Sequence, residues 1–161
     1  MSNNDAAINT QRIDIPVKDL VPHSDDMVLL DSADLWHEQG LTASLEIRKD
    51  SLFYEPQGVP TWVGLEYMGQ AIAAYAGFAA RQDNAPVRIG FLVSCRRYEP
   101  TIDFFTLGTK LSIEVEAITF SDTGLQVFEC VIMAAGETVV KANLNVYMPD
   151  DVAAFMEENS A

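Results

Sequence analysis

The sequence predicts an α+β domain in which an antiparallel sheet curls around one long central helix. Three observations carry this reading. In Pro60–Arg81, apolar or small residues cover every helical face from Thr61 onward, as in a helix enclosed on all sides. Strand-length runs follow at Val87–Tyr98, Lys110–Phe120, Leu125–Ala134 and Thr138–Tyr147. Within the second of these, Leu111, Ile113, Val115 and Ala117 alternate with Ser112, Glu114, Glu116 and Ile118, which makes one dry face and one mostly wet face. The dry face needs an apolar cover, and the long helix is the one candidate.

The elements follow in order. Residues 1–12, MSNNDAAINTQR, contain no apolar stretch of a secretory signal and read as a loose tail before a domain over 13–150. Ile15–Leu20 suits a short helical turn starting at Pro16 and stopped by Pro22 and His23. Met27–Trp36 and Leu41–Ile47 read as strands joined by His37-Glu38-Gln39-Gly40, whose glycine suits a hairpin. Ser51–Pro60 is irregular and leads to Thr61 as the helix N-cap. From Thr61 to Arg81 the helix would be about 31 Å long. Glu66 and Gln70 interrupt it and no basic cluster flanks it, which argues against a membrane span. Asp83-Asn84-Ala85-Pro86 ends the helix, and Asp122-Thr123-Gly124 and Ala135-Gly136-Glu137 suit hairpin turns. Residues 151–161 read as an acidic tail, the alternative being one or two loose amphipathic turns after Pro149.

Composition narrows the function classes. With 161 residues and 48% hydrophobic content, the chain has one domain's worth of core. Its net charge of -14 disfavours nucleic acid and anionic membranes as general partners. Cys95 and Cys130 lie in apolar runs without a CxxC pair, so they read as reduced core thiols of a cytoplasmic protein. Two histidines with no acidic or cysteine cluster at ligand spacing predict no metal site.

A carboxylate inside an apolar helix is costly unless something uses it. Glu66 sits one turn before Gln70 on the same face, either as the acceptor of a structural hydrogen bond or as a reactive group. Of the two imidazoles, His37 stands in a polar turn beside Glu38, where solvation is ordinary, whereas His23 either braces its loop or faces a site. Arg81, Arg88, Arg96 and Arg97 gather basic charge on an acidic chain, as a solvated stripe or as an anion dock. As strand neighbours, Arg96 and Arg97 should point to opposite faces.

Several words then converge on one family. Val21-Pro22-His23 with Met27-Val28-Leu29-Leu30-Asp31, Gly58-Val59-Pro60-Thr61-Trp62-Val63-Gly64-Leu65-Glu66-Tyr67-Met68-Gly69-Gln70, Arg88-Ile89-Gly90-Phe91-Leu92, Cys95-Arg96-Arg97-Tyr98-Glu99 and Asn143-Leu144-Asn145-Val146-Tyr147 span residues 14–150. In these words the chain resembles the hotdog-fold 3-hydroxyacyl-ACP dehydratases, most of all their branch from aryl polyene pigment biosynthesis. The resemblance implies the hotdog fold and a homodimer or heterodimer with another hotdog dehydratase, with an acyl tunnel between subunits. It also implies a substrate carried on the phosphopantetheine arm of an acyl carrier protein, and no cofactor of the chain's own.

Carried over residue by residue, the resemblance makes Glu66 the acidic group of the central helix. The family's histidine, fourteen positions earlier, falls on Leu52, which cannot take a proton. The resemblance keeps a histidine at the place of His23, near the tunnel mouth. His23 is then the expected base and Glu66 the acid, with Gln70 supporting Glu66 and catalytic groups paired across a dimer interface. Dehydration needs a base near the α-carbon and an acid near the β-hydroxyl, and histidine's ordinary pKa of about 6.5 suits the first role. The backbone N–H groups of Thr61, Trp62 and Val63 are expected to face the thioester oxygen. Arg88, Arg96 and Arg97 are expected to meet the carrier and its phosphopantetheine. Two other functions remain open: a silent partner subunit, supported by Leu52, and a thioesterase using Glu66.

Overall fold

Alternation along the strands decides which way the sheet curls. Leu111, Ile113, Val115 and Ala117 are buried and Glu114, Glu116 and Ile118 are exposed, so the dry face turns inward as expected. The computed structural model describes residues 9–86 and 89–159. In chain order these form β1 (Gln11–Arg12), β2 (Ser32–His37), β3 (Gly40–Glu46), β4 (Val59–Pro60), α1 (Gly64–Gln82), β5 (Phe91–Pro100), β6 (Phe104–Phe105), β7 (Lys110–Phe120), β8 (Leu125–Ala134), β9 (Glu137–Tyr147) and α2 (Val152–Glu158). Seven strands make one antiparallel sheet in the order β1-β2-β3-β7-β8-β9-β5, while β4 and β6 pair separately.

The sheet wraps α1 as a hotdog fold. Met68, Ala71 and Ala74 of the helix are fully enclosed, facing a core that includes Ala43, Ile113, Phe128, Ile132 and Leu144. Aromatic rings close its C-terminal half: Tyr75 stands edge-on to Phe128 at 5.8 Å, and Trp36 lies 5.3 Å from Phe78. Such edge and tilted contacts suit the ring quadrupoles better than a flat sandwich.

The structure corrects several boundaries. Met27–Trp36 is not one strand, because Leu29 N–H donates to the Gln70 side chain at 2.8 Å, tying this segment to α1 instead of to the sheet. The tail forms a ladder earlier than expected, with Gln11 and Arg12 opposite Trp36 and Leu35. Thr61–Val63 is a 3-10 turn, and α1 begins at Gly64. Cys130 is buried as expected, but Cys95 is exposed, because β5 is an edge strand with little of its length covered. Residues 152–158 form a helix rather than a loose tail. Its Asp151 cap accepts from Ala154 N–H at 3.0 Å, and Phe155 packs against Phe91 and Tyr147 at 4.9 and 5.2 Å.

The N-terminal segment crosses α1 at Gly77, and only a missing side chain permits that approach. A Cβ there would stand 2.2 Å from the carbonyl oxygen of Leu20, itself buried. Gly77→Ala should therefore destabilise the fold by about 3 kcal/mol, despite alanine's better helix propensity. Urea denaturation checks this; an unchanged midpoint would mean the segment moves aside freely.

Candidate active site

Although α1 reads as enclosed on every face, one stripe stays open. Trp62, Leu65, Glu66, Gly69, Ala73 and Ala76 are all incompletely buried, and they recur at helical spacing. Apart from Glu66, these apolar and small side chains are indistinguishable by type from core residues. The stripe floors a cavity of about 450 Å³, walled opposite by Leu92, Leu144, Val146 and Met148 and rimmed by His23, Leu52 and Phe53.

His23 and Glu66 meet in this cavity. His23 Nε2 stands 3.3 Å from Glu66 Oε1, although 43 positions separate the residues and both belong to one chain. The two groups thus come into contact within this one chain. Two anchors hold the His23 loop: Leu20 and Val21 are buried before it, and the Met27 carbonyl is bound to α1 after it. Glu66 is not the enclosed carboxylate the sequence suggests, because its side chain remains 45% exposed toward the cavity; that of His23 is 27% exposed.

Gln70 organises the pair from below. It is fully buried, and its Oε1 accepts from Leu29 N–H while its Nε2 donates to Met27 O at 2.7 Å and to Glu66 Oε1 at 3.1 Å. The acceptor bond from Leu29 fixes which end of the amide is which. Glu66 Oε1 therefore accepts from Gln70 and faces His23 Nε2, and Oε2 has no protein partner among the described residues.

The expected oxyanion groups divide. Thr61 N–H donates to Asp103 O at 3.0 Å and is removed from the set, whereas Trp62 and Val63 line the cavity. The Thr61 carbonyl accepts from the Tyr98 hydroxyl. Burial pushes the Tyr98 phenol well up, which keeps it a donor and makes it a brace for the helix entrance. Trp62 is 60% exposed, with its ring 5.3 Å from Phe53. His37 braces its own turn, accepting from Gln39 N–H at 3.2 Å, and takes no part in the cavity.

Neither Arg96 nor Arg97 lines the cavity, and Arg88 lies outside the described residues. A bulge falls between Cys95 and Arg97, leaving Arg96 without a partner on β9, so simple alternation does not hold. Both arginines are exposed, and Arg97 pairs with Glu99 at 3.2 Å. Arg81 donates to the carbonyl of Asp19 instead. Among the described residues, no group of three His, Cys, Asp or Glu side chains is placed to hold a metal ion. No helix there is long and apolar enough to cross a membrane.

The sequence matches the ApeP-like family, described as ApeP dehydratase, over residues 15–157. This chain belongs to the ApeP-like dehydratase family. The hotdog architecture and hydro-lyase class expected from its sequence words are those of this family. Among solved structures, the dehydratase heterocomplex ApeI:P from Xenorhabdus doucetiae is similar with a TM-score of 0.80 at 24% identity, covering 90% of this chain and 98% of that one. An uncharacterised protein from Pyrococcus horikoshii reaches 0.63 at 18% identity, covering 87% and 98%. A hypothetical thioesterase with coenzyme A from Streptococcus pneumoniae reaches 0.59 at 14%, covering 73% and 84%. These likenesses establish the fold alone. No curated protein sequence matches the chain.

Two substitutions separate support from lining in this ApeP-like site. Gln70→Leu strands a buried N–H and carbonyl of the 27–29 segment, and should cost about 3 kcal/mol. Leu52 is 37% exposed, so Leu52→Ala should cost about 1 kcal/mol, below the roughly 2–5 kcal/mol of an enclosed leucine. Equilibrium denaturation measures both, and a larger loss at Leu52 than at Gln70 would reverse these assignments.

Proposed function

We propose that this ApeP-like dehydratase removes water from 3-hydroxyacyl thioesters on the phosphopantetheine arm of an acyl carrier protein, yielding 2-enoyl thioesters during aryl polyene or fatty-acid-like chain elongation. The observation that carries this reading is the His23–Glu66 contact at the wall of an apolar cavity. Eliminating water takes a proton from the α-carbon and delivers one to the hydroxyl on the β-carbon, and the paired groups are a titratable imidazole and a carboxyl. An apolar cavity suits the acyl tail, and the Trp62 and Val63 end of the helix suits the thioester oxygen.

The partners follow from surfaces the chain leaves open. Strand β5 has one unpaired edge and exposes Leu92 and Val93, beside the open stripe of α1. An uncovered strand edge invites pairing, and a second hotdog subunit would cover edge and stripe together. The likeness to a dehydratase heterocomplex supports a heterodimer. Arg96 and Arg97, on an otherwise acidic chain, are the groups proposed to meet the acidic carrier, and the setting is the cytoplasm. The chain needs no cofactor of its own in this chemistry.

Leu52 supports a second reading, a silent subunit that shapes the tunnel of an active partner. Mass spectrometry of a 3-hydroxyacyl carrier protein incubated with the chain separates the two. Loss of one water, with a decrease of about 10³-fold in Glu66→Gln, is the expected result. Water loss only with a partner, and undiminished by Glu66→Gln, would assign the chemistry to that partner; release of free acid would make the chain a thioesterase.

A further inference from the structure

We infer that Glu66 alone carries out both proton transfers of the dehydration, through its Oε2, and that His23 is a positioning residue. This division of labour rests on the dehydration reading, and it comes from which atoms are free. An imidazole acting as base through Nε2 must carry a proton on Nδ1, and that N–H needs an acceptor, as a triad carboxylate provides for its histidine. His23 Nδ1 is buried and has no hydrogen-bond partner among the described residues. Because this chain's own atoms enclose it, a second subunit cannot supply the acceptor. Forming the imidazolium would leave a charged ring with one N–H unpaired in the interior, so the favoured tautomer carries its proton on Nε2, toward Glu66 Oε1.

Glu66 has the complementary arrangement. Gln70 and His23 both approach Oε1, which orients the carboxylate and leaves Oε2 open to the cavity. Where a histidine would be expected by resemblance, Leu52 supplies only an apolar wall, so among the described residues Glu66 and His23 are the lining groups able to take a proton.

The step balances with one carboxyl group. Oε2 takes the proton from the α-carbon, and the electrons of that C–H bond become the Cα=Cβ bond as the Cβ–O bond breaks. The same carboxyl returns the proton to the departing oxygen, which leaves as water, and the carboxylate is regenerated. A single group working from one side requires syn elimination.

The test compares kcat and kcat/KM across pH for the wild type, His23→Gln, His23→Leu and Glu66→Gln, with circular dichroism as the folding control. If the isolated chain is inactive, the complex with its hotdog partner is used. Glutamine keeps an N–H donor for Glu66 but cannot titrate. His23→Gln should lower kcat about tenfold and keep the acid limb of the pH profile, and His23→Leu should lower it about 10²-fold. Glu66→Gln should lower it about 10³-fold or more. Formate should restore at least tenfold to Glu66→Ala, a readout that leaves His23 untouched. Loss of the acid limb in His23→Gln, a decrease in that variant equal to that of Glu66→Gln, or absence of formate rescue would overturn the assignment. A wild type that removes no water would overturn the dehydration reading instead, and a complex indifferent to Glu66→Gln would overturn both.

Discussion

The site depends on one buried amide. Gln70 lies fully enclosed in α1, and its three hydrogen bonds connect elements that share no backbone ladder: the Met27–Leu29 segment, the helix and the carboxylate of Glu66. A glutamate at this position would supply acceptors only, losing the bonds to Met27 O and Glu66; an apolar residue would lose all three. The amide's orientation is set by the main chain at Leu29, and it is passed on to Glu66. Backbone geometry at Leu29, 37 positions before Glu66, thus aims the reactive carboxylate.

The same segment keeps His23 in place, so the imidazole and the carboxylate share a mechanical reference. Leu20 beside Gly77 fixes one flank of the His23 loop, and Met27 beside Gln70 fixes the other. Both contacts are with α1, which also carries Glu66. Movements of the outer sheet therefore shift the cavity wall without separating the pair. A partner subunit laid over the stripe would alter the tunnel's cross-section while leaving the 3.3 Å contact intact.

Elements whose cause is local were legible in the sequence, and those whose cause is distant were not. The limits of β7 and β8 follow from alternation and from turn glycines, and both strands lie where the pattern places them. The short strands β1, β4 and β6 left no pattern, since two residues cannot show a period. Thr61 looked free to bind an anion because nothing local marks Asp103 as its acceptor. The open stripe of α1 was hidden for a different reason. Gly69, Ala73 and Ala76 suit a close sheet contact and a tunnel floor equally well, and only the position of β5 at the sheet edge decides between them. Within the site, the i, i+4 pairing of Glu66 and Gln70 was readable from spacing, whereas the approach of His23 across 43 positions came from the family resemblance alone.

Leu52 bears on the chemistry beyond the histidine it replaces. It stands at the cavity rim with Phe53 and Trp62, so the wall where a polar base would sit is apolar on three sides. Leu52, Phe53 and Trp62 are themselves exposed, so this wall guides the acyl chain without sealing the cavity from water. A second base at this position would be hydrated and would compete for the substrate proton. Without one, the reactive capacity of the cavity is concentrated on the carboxylate that Gln70 holds, and the imidazole beside it serves best as a neutral donor.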